Sequence, residues 1–85
     1  MVMVKPAMAY LDIVATIHRE YPNIPIAVYQ VSGEYTMLVE AANKGVFDLQ
    51  RVLTETLVSF KRAGACIIIS YFTPQILTWL KLGQL

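Results

Sequence analysis

The chain is 85 residues long, 56% apolar and 15% charged, with a formal net charge of +1 at pH 7. That length allows at most one small domain, and so few charges, against roughly 25% in ordinary globular chains, fit a piece of a larger core better than a free-standing one. The scattered lysines and arginines give no electrostatic case for nucleic acid or an anionic membrane as partner.

Met1–Val4 is an apolar run that stops at Lys5-Pro6, the layout of a buried strand ending in a lysine. Asp12 interrupts the apolar stretch that a signal peptide would need. No run approaches the ~18 residues of a membrane span, so a soluble, cytoplasmic chain is expected. Tyr10, Ile13, Val14, Ile17 and Tyr21 then recur at helical spacing and predict an inward face, with Asp12, Thr16 and Arg19 opposite. His18 reads as a solvated side chain. Pro22, Asn23 and Pro25 break this helix and launch a second strand, Ile26–Val31. Its apolar residues do not alternate, as expected of a parallel strand covered on both faces.

The second strand stops at Ser32-Gly33-Glu34, which lacks the spacing of a P-loop or a dinucleotide fingerprint. A short helix follows, with Tyr35, Leu38, Val39 and Ala42 on one side and Gly45 closing it. Asp48 is the expected N-cap of a longer helix buried through Leu49, Val52, Leu53, Leu57 and Phe60. Arg51 and Glu55 are spaced as an exposed i,i+4 pair. Gly64 ends that helix, and a third strand, Ala65–Ile69, stops at Ser70-Tyr71. Cys66, the only cysteine, reads as a buried, inert thiol of this strand; alone, it excludes an internal disulfide or a CxxC metal site. Thr73-Pro74 predicts a helix start, a hydroxyl cap followed by proline, with Ile76, Leu77 and Leu80 facing inward.

Three strand–helix units with short links predict an α/β fold with right-handed crossovers. Its parallel strands are expected near residues 2–5, 26–31 and 66–70, with helices on one face only. In such folds the C-terminal strand ends carry the chemistry, so Lys5, Ser32 and Tyr71 are the candidate site. Lys5 is either a strand-end lysine paired with a carboxylate or a Schiff-base nucleophile, since partial desolvation favours the neutral amine that attacks a carbonyl. Ser32 is a helix cap or an anion ligand at a helix N-terminus. Tyr71 is a packing residue or a phenol donating to a carboxylate.

Met-Val-Lys-Pro-Ala at 3–7, Tyr10-Leu-Asp-Ile-Val14, Tyr29-Gln-Val-Ser-Gly-Glu-Tyr35, Lys61-Arg-Ala-Gly-Ala65 and Ile68-Ile-Ser-Tyr-Phe72 occur here in one order. Together they resemble the C-terminal end of the δ-aminolevulinic acid dehydratase (porphobilinogen synthase) family, over essentially the whole chain. The resemblance implies that residues 1–85 are one partial domain, the last three βα units of a (β/α)₈ TIM barrel. It implies condensation of two 5-aminolevulinate molecules to porphobilinogen, in haem and tetrapyrrole synthesis. By the same resemblance Lys5 matches the Schiff-base lysine, and Ser32 and Tyr71 match the pair that binds a substrate carboxylate. The zinc or magnesium of the full-length family, its octamer-forming arm, its second active-site lysine and its upstream arginines belong to segments other than these. No metal site is expected here. Cys66 stands where the family has an aspartate and is not one of its zinc cysteines. A barrel needs eight strands and ~250 residues, so the chain alone is expected to be inactive. The alternative is a non-catalytic fragment that associates with, or mimics part of, a full-length subunit.

Overall fold

The structure, a computed structural model, describes residues 1–85. The chain runs β1 (Val2–Val4), a 3₁₀ turn (Met8–Tyr10), α1 (Leu11–Glu20), β2 (Ile26–Gln30), α2 (Ser32–Asn43), α3 (Leu49–Ala63), β3 (Ile67–Ser70) and α4 (Thr73–Lys81). The three strands form one parallel sheet in the order β1-β2-β3. Strand–helix alternation leads to this arrangement, because parallel neighbours need a crossover long enough to hold a helix. No helix is long and apolar enough to cross a membrane.

Register defines the two faces. Val4 lies beside Val28, and Val28 beside Ile68, and these residues pack with α1 and α3 through Val14 and Phe60. A second cluster of Leu38, Leu53 and Phe72 joins α2, α3 and the start of α4, with Met8 and Leu57 packed against both clusters. On the opposite face Met3, Ile67 and Ile69 are exposed. Helices therefore cover one face, and the other stays open although its residues are apolar. Ala27 is buried on that open face because it is short and lies in register between Met3 and Ile67.

Several helix faces differ from expectation. In α1 the inward residues are Leu11, Val14 and Ile17, while Tyr10, Ile13 and Tyr21 are exposed. Val14 and Ile17 of the expected stripe do face the core, joined by Leu11, whereas Tyr10 and Ile13 lie toward the unpaired β1 edge. In α4, Ile76 and Trp79 pack inward, and Leu77 and Leu80 stay exposed. Thr73 does not cap α4; its hydroxyl donates to the Ser70 carbonyl at 2.7 Å, and the helix starts from Phe72 with proline in its first turn. Arg51 and Glu55 form no ion pair, and the one salt bridge is Arg19–Glu20 at 3.5 Å between exposed side chains. Cys66 precedes β3 and is exposed, its thiol donating to the Ile26 carbonyl at 3.5 Å.

Other expectations hold. Asp48 caps α3 by accepting from the Arg51 N–H at 3.0 Å. Gly45 closes α2 at φ +75°. Gly64 ends α3 at φ +121°, and a Cβ there would lie 2.5 Å from Cγ of His18. His18 is exposed as read, yet the base of its ring covers this glycine and brings α1 close to the α3–β3 turn.

Candidate active site at the strand ends

The first turn of α2 is where the three strand ends converge. It follows the central strand directly, so whatever β1 and β3 deliver at their C-terminal ends meets it from either side. Ser32 is its first residue and is exposed. Tyr35, one turn on, packs its ring against Tyr71 at 5.6 Å between centroids and against Phe72 at 4.5 Å. These contacts, of the tilted kind that aromatic pairs favour, bring the end of β3 alongside the α2 N-terminus.

The end of β1 is held by Glu34, which is 4% exposed. Its carboxylate accepts from the backbone N–H of Ala7 at 2.9 Å, of Met8 at 2.6 Å and of Val31 at 3.0 Å. The turn that follows Lys5 is thereby fastened to the same first turn of α2. Lys5 itself is exposed, is joined to Pro6 by a cis peptide bond, and is the one charged residue lining an apolar cleft of about 370 Å³ between β1 and α1.

A second buried group serves the β3 side. Gln30 is fully buried, its Oε1 accepting from the Ser70 hydroxyl at 2.6 Å. Ser70 Oγ in turn accepts from the Phe72 N–H at 3.0 Å, which fixes the backbone on both sides of Tyr71. The Tyr71 phenol titrates above its ordinary value of 10.0, raised first by hydrogen bonding with the Tyr29 phenol and then by that group's charge.

The chain segments that carry Lys5, Ser32 and Tyr71 thus meet at the first turn of α2, through contacts of Glu34 and Tyr35. Sequence reasoning missed Glu34 and Gln30 as the groups that hold them. A signal existed: glutamate at the third helical position is a known reciprocal cap, and Gln30 is the one amide in an otherwise apolar strand. No three His, Cys, Asp or Glu side chains converge as a metal site would require, so no step through a metal is derived from these residues.

Comparison with known proteins bears on this geometry. The family model for delta-aminolevulinic acid dehydratase matches residues 1–79. The delta-aminolevulinic acid dehydratase of Macaca fascicularis is 54% identical over 93% of this chain and 24% of its own length. That of Schizosaccharomyces pombe is 50% identical over 94% of this chain and 24% of its own. The chain spans about a quarter of the length of these relatives. A crystal structure of the Toxoplasma gondii ME49 enzyme, in complex with its reaction product porphobilinogen, superposes with a TM-score of 0.87. It is 42% identical, over 91% of this chain and 22% of that one.

Proposed function

Since this chain belongs to the delta-aminolevulinic acid dehydratase family, we propose that it carries the imine-forming part of a porphobilinogen synthase, a lyase that condenses two 5-aminolevulinate molecules. The observation that carries this reading is the convergence of the Lys5, Ser32 and Tyr71 strand ends on the first turn of α2. In its neutral form the Lys5 amine adds its lone pair to the ketone carbon of 5-aminolevulinate. A proton passes from nitrogen to the carbinol oxygen, and water leaves as the C=N bond forms. The Ser32 hydroxyl and the Tyr71 phenol donate to the substrate carboxylate. The zinc or magnesium, the octamer and the second substrate's ligands that the family resemblance implies fall to residues outside these 85.

A second reading, a non-catalytic fragment that associates with a full-length subunit, is favoured by the open apolar face of Met3, Ile67 and Ile69. The first reading is tested by a chimera in which residues 1–79 replace the matching stretch of the Macaca fascicularis relative. Expected are porphobilinogen formation and a borohydride-trapped 5-aminolevulinate adduct on Lys5, both lost in Lys5→Ala. Ser32→Ala and Tyr71→Phe should raise KM more than they lower kcat. An undiminished adduct in Lys5→Ala would remove Lys5 from the mechanism.

A further inference from the structure

Glu34 is a buried acid with no cation beside it: the chain's single salt bridge is elsewhere, between Arg19 and Glu20. Its charge is met by three backbone N–H groups at the N-terminus of α2, where the helix dipole also favours an anion. One of these bonds, from Val31, is an ordinary reciprocal helix cap. The other two reach 27 and 26 residues back, to Ala7 and Met8. A cap needs neither. Both oxygens are used: Oε1 takes Ala7 and Val31, and Oε2 takes Met8. A carboxylate accepts on both sides, whereas an amide would turn an NH₂ group toward one of the N–H donors.

From this we infer that Glu34 is a positioning residue, whose carboxylate clamps the Lys5–Met8 turn onto the first turn of α2 and so fixes the backbone that carries Lys5 beside the helix turn that carries Ser32. It touches no substrate and acts through Lys5. The inference rests on the reading of Lys5 and Ser32 given above.

The test separates the clamp from the cap. Val31→Pro deletes the capping N–H alone, and the Val31 φ of −72° and the extended residue before it both admit proline. Glu34→Gln keeps the shape and disrupts the clamp, whereas Glu34→Ala removes everything and risks the fold. In the ¹⁵N-labelled 85-residue chain, Glu34→Gln should speed amide exchange at Ala7 and Met8 by about tenfold or more, the loss of a charge-assisted bond, and leave Val28 unchanged. In the chimera, Glu34→Gln should slow trapping of 5-aminolevulinate on Lys5 by about tenfold or more, whereas Val31→Pro should leave that rate within about twofold. Unchanged exchange at Ala7 and Met8 overturns the clamp. Faster exchange with an unchanged trapping rate overturns the positioning role. Equal slowing by Val31→Pro reduces Glu34 to a helix cap. If the parent chimera forms porphobilinogen without an adduct on Lys5, the reading of Lys5 fails and the positioning role fails with it, while the exchange result still judges the clamp.

Discussion

Ser70→Ala removes one oxygen from the centre of a buried relay. The Ser70 hydroxyl donates to Gln30 Oε1 at 2.6 Å and accepts from the Phe72 N–H at 3.0 Å. Gln30 is 0% exposed and Phe72 2%, so neither group freed by the substitution turns readily to water. A buried polar group left unpaired costs about 1–3 kcal/mol. Ser70 itself is half-buried, and water can reach part of the gap. A loss of about 2–4 kcal/mol is therefore expected, a large share of the roughly 5–15 kcal/mol that holds a typical domain together. Urea unfolding followed by circular dichroism reads it: with a slope of about 1–2 kcal/mol/M the midpoint falls by about 1–4 M, and the slope stays constant. Adding Gln30→Leu removes the orphaned acceptor and should return about 1–3 kcal/mol, because deleting both partners costs less than deleting one. A Ser70→Ala cost below about 0.5 kcal/mol, or strict additivity in the double variant, would refute the relay as a structural element.

Gly64→Ala should destabilise by about 2–5 kcal/mol, combining backbone strain at φ +121° with a Cβ placed 2.5 Å from His18 Cγ; His18→Ala should relieve this only in part, since His18 Cβ would itself lie 2.6 Å away. Phenolate absorbance should show one tyrosine titrating above 10.0, returned toward that value by Tyr29→Phe. Because the folded state holds the Tyr71 proton more tightly than the unfolded state, this contribution to stability is complete below pH 10.0 and declines as pH rises through the folded value; stability rising over that range would contradict the sign. The 85-residue chain on its own should trap little 5-aminolevulinate at pH 7, since Lys5 is exposed to water and a single three-stranded sheet does not enclose a bound substrate. Raising the pH should spread labelling to Lys44, Lys61 and Lys81 as read by peptide mapping, and labelling confined to Lys5 at pH 7 would show an activated amine.

The order and pairing of the strands were legible because apolar runs, proline breaks and glycine stops punctuate each unit. Helix orientation was less so. Around Tyr10–Tyr21 the expected stripe of Tyr10, Ile13, Val14, Ile17 and Tyr21 overlaps a second one, Leu11-Val14-Ile17, and only the position of β2 and α3 decides which members are buried. The same ambiguity separates Leu77 and Leu80 from Ile76 and Trp79. Cys66 was misjudged because the strand is short and begins one residue later. Lys5, Ser32 and Tyr71 stood out as polar groups ending apolar runs, and the comparisons leave their roles as a proposal. Glu34 and Gln30 did not stand out, since their meaning lies in partners 26, 27 and 40 residues away, which no local spacing encodes.

In this sheet the spatial order of the strands repeats their order along the chain. The first strand occupies one border and the last the other, and each unit hydrogen-bonds only to units next to it in sequence. A polypeptide joined to either terminus can add strands at its own border without disturbing a pairing already made. That is the geometry of a cassette, and evolution or an engineer can exchange such a piece between relatives by cutting the backbone outside its ladder. Most at risk in such an exchange is the apolar surface of Met3, Ile67 and Ile69, whose fit depends on side chains brought by the host.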